Sequence, residues 1–116
     1  MRRAMRGLFA VLLPFTLAGS LAWAEPPRVI ALEAKRFQFT PAELTVKVGQ
    51  PVTLRVTSAD VTHGFYQKEL GIDAEIAPGH TTEVTFTPAR PGRFTVICDH
   101  FCGSGHGNMH LVVVVE

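Results

Sequence analysis

Of 116 residues only two are cysteine, one is tyrosine and one is tryptophan, and the tryptophan, Trp23, lies close to the N-terminus. So few cysteines exclude a disulfide-dense scaffold. From Glu25 onward no stretch sustains a helical period, which excludes a helix bundle. No sign of charge dominates either. Eleven basic and ten acidic residues leave +1 at neutral pH, too little for a nucleic-acid-binding face. Nor is there a serine, histidine and carboxylate arrangement of hydrolytic type, so nothing marks a substrate pocket.

The first 24 residues read as an address. Arg2, Arg3 and Arg6 form a positive start, Gly7 to Leu21 is apolar, and Ala22-Trp23-Ala24 is an A-x-A cleavage signal. Cleavage after Ala24 gives residues 25–116 as the mature domain and places it in the periplasm. The alternative is an uncleaved anchor over residues 7–23, on the outer face of the inner membrane. Pro14, the short apolar run and the A-x-A site favour the cleaved signal. Losing 24 of 116 residues leaves 92, and losing three arginines leaves 8 basic against 10 acidic residues, a charge of −2. A domain of that size buries only somewhat over ~60% of its unfolded surface, so a bound metal would help it.

The mature chain alternates with period two. Leu44, Val46 and Val48 alternate with polar residues, Gly49-Gln50-Pro51 turns, and Val52, Leu54 and Val56 alternate again, which predicts a hairpin. Ile72, Ala74 and Ile76 mark another strand, as do Val84 and Phe86, then Phe94, Val96 and Cys98. Leu111 to Val115 has no alternation, which predicts a closing strand buried on both faces. About seven short strands predict an all-β fold, a small antiparallel Greek-key sandwich or barrel.

Between the last two strands lies "CDHFCGSGHGNM", residues 98–109, holding both cysteines, His106 and Met109 among Gly103, Gly105 and Gly107. A plain hairpin does not need twelve residues. Thiolate, imidazole and thioether together suit copper, with His63 of "DVTHGF" as the best further imidazole. Duller readings stand beside it. Cys98 and Cys102 can close a small disulfide in an exported protein. Met109 beside a strand is ordinary packing, and His63 alone is an ordinary surface or capping residue. Zinc on Cys98, Cys102, His106 and His63 leaves Met109 idle and lacks the usual paired spacing.

With these motifs the chain resembles the CuA-binding cupredoxin domain of subunit II of haem-copper cytochrome oxidases, which has a related site in nitrous-oxide reductase. The similarity includes "FQFTPAELTVKVGQPV" and "PARPGRFTVICDHFCG". It implies two copper ions bridged by Cys98 and Cys102, each capped by one of His63 and His106. Met109 is then a weak ligand to one copper and the backbone carbonyl of His100 a weak ligand to the other. A second thiolate would be surplus for a single blue copper.

The chain also departs from that family. His100 stands where larger subunits II carry an acidic residue serving a magnesium site. The tryptophan through which the family admits electrons is missing from residues 25–116, leaving Phe65, Tyr66 or Phe101 to cover the site. The resemblance implies a periplasmic carrier of single electrons from a c-type cytochrome to a haem-copper oxidase or another redox acceptor. It would not be an enzyme on its own and would have no small-molecule substrate. Membrane association would come only through a partner or an uncleaved N-terminus. Glu69, Asp73 and Glu75 are candidates for steering a basic cytochrome. The alternatives are the copper subunit II of a membrane-bound oxidase, a mononuclear blue-copper carrier using His63, Cys102, His106 and Met109, and a copper chaperone for oxidase assembly.

Overall fold

The computed structural model describes residues 7, 10–15, 26–101, 103 and 105–116, with the His106 side chain excepted. The proposed cleavage site, Cys102 and Ser104 lie outside the described residues. Among the described residues no helix is long and apolar enough to cross a membrane.

Among the described residues nine strands form in chain order: β1 (Arg28–Lys35), β2 (Gln38–Thr40), β3 (Glu43–Val46), β4 (Val52–Ser58), β5 (His63–Gln67), β6 (Ile72–Ile76), β7 (Thr82–Phe86), β8 (Gly92–Ile97) and β9 (His110–Val115). Short 3-10 turns occupy Lys68–Leu70 and His106–Asn108. One sheet has the order β2-β1-β4-β7 and the other β3-β9-β8-β5-β6. Period-two alternation gives each sheet one apolar face, and the two faces close on each other. Leu32, Phe39, Leu44, Val46, Leu54, Val56, Phe65, Ile72, Ile76, Val96, Leu111 and Val113 fill the space between them.

Three expectations change. The predicted hairpin around Gly49-Gln50-Pro51 is a passage between sheets. β3 pairs with β9 and β4 pairs with β1 and β7, so Leu44 and Val46 oppose Val52, Leu54 and Val56 across the core. Alternation tells which side chains point inward, and both arrangements satisfy it. The sandwich is also mixed, because β1 runs parallel to β4 and β3 parallel to β9. β9, finally, buries Leu111, Val113 and Val115 but leaves Val112 and Val114 half-covered. Both lie in register with residues of the neighbouring strands, Val112 with Glu43 and Thr95, and Val114 with Thr45 and Arg93.

Strand direction decides which loops become neighbours. β1 and β4 end, β5 and β9 begin, and β8 ends at one pole of the sandwich, where Ala34 is in register with Ser58 and Ile97 with His110. The β4–β5 loop, the β8–β9 loop and the turn at Arg36-Phe37 therefore meet at that pole.

Candidate metal centre

His63 is the first residue of β5 and is 0% exposed. Its Nε2 lies 2.7 Å from Oδ1 of Asp60. The same carboxylate accepts hydrogen bonds from the backbone N–H of Arg36 to Oδ2 (2.8 Å) and of Val61 to Oδ1 (2.7 Å). Desolvation pushes the Asp60 carboxyl up, but the bonds from Arg36, His63 and Val61 and the charge of a protonated His63 outweigh it. Its pKa falls from 3.8 to about 2. A folded-state value below the ordinary one means that this stabilisation is complete above about pH 4 and fades as pH falls towards 2.

At neutral pH the acceptor is thus an ionised carboxylate, and Nε2 of His63 must carry the proton. A ring with its one proton on Nε2 presents an unprotonated Nδ1. That atom is buried and has no hydrogen-bond partner among the described residues. An orphaned buried lone pair is costly unless something takes it, and a metal ion is a natural acceptor for a histidine whose other nitrogen is held by a carboxylate.

Cys98 follows β8 directly and is buried. Its Sγ accepts the Gly64 N–H at 3.3 Å and lies 3.2 Å from the His100 carbonyl oxygen. The Cys98 N–H reaches the Met109 carbonyl at 3.3 Å, which closes the base of the loop. Met109 is buried in the same core as Cys98 and Phe65. Extending the Tyr66 to Ile97 register by two residues puts Gly64 opposite Asp99. A Cβ on Gly64 would stand 2.5 Å from the His100 nitrogen and 2.6 Å from that of Asp99. Only a residue without a side chain lets β5 approach the loop so closely.

The structure therefore brings together His63, Cys98, the His100 carbonyl and Met109 at one pole. Cys102 and the His106 side chain are outside the described residues, and His106 is placed only through its backbone, at the start of the His106–Asn108 turn. Among the described residues no three His, Cys, Asp or Glu side chains form a cluster of their own. The donor set that is described, one imidazole lone pair beside one buried sulfur and one thioether, suits copper.

Two residues were missed in the sequence. Asp60 orients His63, and its signal was present as an acidic residue three positions before the histidine. Phe37, in the β1–β2 turn, carries no pattern of its own. Yet a Cβ on Gly105 would lie 2.5 Å from its ring and one on Gly103 2.8 Å. Of the aromatics named as covers, Phe65 is wholly buried and stacks edge-on against Phe39 (centroids 5.3 Å, 69°). It belongs to the core. Phe101, by contrast, is 75% exposed.

An all-β sandwich with a sulfur and imidazole loop at one pole is the architecture of small copper proteins. The chain belongs to the cupredoxin-like domain family, whose model matches residues 7–113, and is a domain of the CuA type. It is 32% identical over 113 residues to cytochrome c oxidase subunit 2 of Thermus thermophilus, covering 89% of this chain and 84% of that one. It is 36% identical over 74 residues to the alternative cytochrome c oxidase subunit 2 of Bradyrhizobium diazoefficiens, covering 64% of this chain but 27% of that longer protein. The periplasmic domain of subunit II of cytochrome oxidase of Bradyrhizobium japonicum superposes with a TM-score of 0.72 at 22% identity, over 81% of this chain and 88% of that one. At that identity the likeness speaks for the fold.

Removing the Asp60 carboxylate checks the hydrogen-bond network without any metal. Asp60→Ala leaves the Arg36 and Val61 N–H groups and His63 Nε2 without their acceptor. The expected result is a loss of about 1–3 kcal/mol in urea unfolding of the metal-free protein, the usual cost of leaving partly buried donors unsatisfied. Unchanged stability would mean that water replaces the carboxylate fully.

Proposed function

We propose that this protein is an exported electron-transfer domain holding two coppers per chain, which receives single electrons from a c-type cytochrome and delivers them to a haem-copper oxidase. The observation that carries this reading is the buried Nδ1 of His63, without a hydrogen-bond partner among the described residues, next in sequence to Gly64, whose N–H bonds the buried Cys98 sulfur. In this reading Cys98, Cys102, His63 and His106 would hold the coppers. Met109 and the His100 carbonyl are the weak ligands. Copper bound there supplies one-electron redox chemistry. The protein's part is to exclude water, to orient the His63 ring through Asp60, and to hold His63 and Cys98 at the start of β5 and just past the end of β8. Residues 1–24 serve as the export signal and 25–116 as the working domain, which catalyses nothing by itself.

The test is copper content together with optical and paramagnetic-resonance spectra of the loaded protein. Two coppers per chain and a purple, mixed-valence spectrum are expected. One copper with a blue mononuclear spectrum, in protein whose two thiols are shown to be reduced, would refute the reading.

A second reading makes the chain the copper subunit of a membrane oxidase, anchored by residues 7–23. Both curated relatives named above are oxidase subunits 2, and Val11, Leu12, Leu13 and Phe15 are exposed apolar residues. Membrane fractionation separates the two, since an intact N-terminus in the membrane fraction selects the anchored subunit.

The docking charge is narrower than composition alone indicates. Glu69 is held in an ion pair by Arg90, whose guanidinium also lies 5.4 Å from the centre of the Phe94 ring. Asp73 and Glu75 sit exposed on β6, in register with Tyr66 and Gly64 and so near the candidate site. Electron transfer from a basic cytochrome is expected to slow as salt rises, because the Debye length shrinks to ~8 Å at physiological ionic strength. Asp73→Lys with Glu75→Lys should slow it at low salt more than Glu69→Lys does. Stopped-flow rates across a salt series check this, and a salt-independent rate removes the steering role.

A further inference from the structure

The turn at Arg36-Phe37 touches both loops of the candidate site. Its backbone N–H at Arg36 holds Oδ2 of Asp60, whose Oδ1 holds His63. One residue on, the Phe37 ring lies against the backbone of Gly103 and Gly105 in the β8–β9 loop, closely enough that a Cβ on Gly105 would stand 2.5 Å from its Cδ2 and 2.6 Å from its Cγ. Phe37 is 37% exposed, with its ring against the loop. Two residues later Phe39 is 1% exposed and locked edge-on against Phe65, so β2 is anchored in the core.

We infer that the Arg36-Phe37 turn is a clamp that fixes the spacing between His63 and the cysteine loop, and that Phe37 is its positioning residue, resting on the reading that the loop holds copper. The imidazole reaches the site at the start of β5 and the Cys98 sulfur just past the end of β8. The Gly64 to Cys98 bond ties the two at their base, and the turn, bonded to the Asp60 carboxylate and packed on Gly103 and Gly105, ties them further out. Gly103 and Gly105 are small because the ring occupies the space where their side chains would be. Phe37 is assigned no contact with a ligand atom. It holds the loop down on the sandwich and keeps water from its backbone.

A double-variant cycle tests the clamp, because Gly105 has no backbone need for glycine whereas Gly103, at φ +140°, does. Gly105→Ala drives a methyl group into the ring, and Phe37→Ala removes the ring. Each alone is expected to release copper to a chelator about tenfold faster, at the lower end of what loss of a supporting residue around a metal usually costs. Combined, they should be no worse than Phe37→Ala alone, because the added methyl then meets open space. Phe37→Tyr should keep the wild-type rate and paramagnetic-resonance signature. Gly107→Ala, where a Cβ meets nothing within 4 Å, is the control in the same loop and should change little.

Amide hydrogen exchange of the metal-free variants reads the clamp without copper. The Gly103 and Gly105 amides should exchange faster in Phe37→Ala while the β1 and β4 amides stay protected. A wild-type protein that binds no copper pair but still shows this exchange pattern overturns the proposed function and keeps the clamp. Independent, multiplying effects of Gly105→Ala and Phe37→Ala, or loop exchange unchanged by Phe37→Ala, overturn the clamp even if two coppers bind.

Discussion

Cys98→Ser is expected to abolish the shared-electron copper spectrum while leaving a folded sandwich. The side chain sits at the end of β8, buried, with its sulfur taking the Gly64 N–H and facing the His100 carbonyl. A serine fits that space and can keep the hydrogen bond from Gly64. It cannot replace a soft thiolate towards copper. The fold should survive and the spectrum should not, because the strand pairing from Gly92 to Ile97 depends on backbone bonds and on Phe94 and Val96. Cys102→Ser should have the same spectroscopic effect. Met109→Leu is the contrasting variant. Its side chain is buried and apolar in character, so leucine preserves packing, and on the proposed reading only a weak ligand would be lost. Both coppers should remain and the reduction potential should shift. Circular dichroism, metal content and paramagnetic resonance on the three variants check the pattern, and an intact binuclear spectrum in either serine variant rejects bridging.

Gly64→Ala is expected to be the most damaging single-methyl change in the molecule. The added Cβ would meet the backbone nitrogens of Asp99 and His100 at 2.6 and 2.5 Å. Flexible side chains move aside from such an encounter; main chain in a strand-bordered loop does not. Either β5 shifts away from the loop or the loop lifts, and both separate His63 from Cys98 and stretch the Gly64 to Cys98 bond. Overpacking of this kind costs about 1–3 kcal/mol, a large share of the about 5–15 kcal/mol that holds a small domain together. Urea unfolding of the metal-free variant should show that loss, and copper binding should weaken beyond it. Wild-type stability would show that the close approach at Gly64 is not needed.

How much of the fold and site was legible in the sequence depends on what each residue's signal encodes. Alternation located the inward-facing residues of β3, β4, β6, β7 and β8, because burial of one sheet face forces a period of two. It was silent on which sheet a strand joins, since Val46 and Val52 point into the core whether they pair or face each other. The parallel pairings of β1 with β4 and β3 with β9 leave no mark on composition. At the site, the motif around Cys98 to Met109 was legible because several ligand types crowd one glycine-rich loop. Asp60 left only the trace of an acid three residues before His63, because its tie to the Arg36 N–H spans 24 residues, and Phe37 left none, because a lone aromatic in a turn looks ordinary until the fold brings Gly103 and Gly105 near.

β1 starts at Arg28, whose N–H meets the Pro51 carbonyl, and the final residue Glu116 accepts the Val48 N–H, so both ends of the sandwich body lie beside the Gly49 turn. That is the pole opposite the candidate site, about 23 Å away along the seven steps of β1 at a rise of about 3.3 Å each. The domain is thus a plug with its wires at the back and its contact at the front. A fusion partner or an electrode joined at Arg28 or Glu116 would leave the pole of the candidate site facing outward.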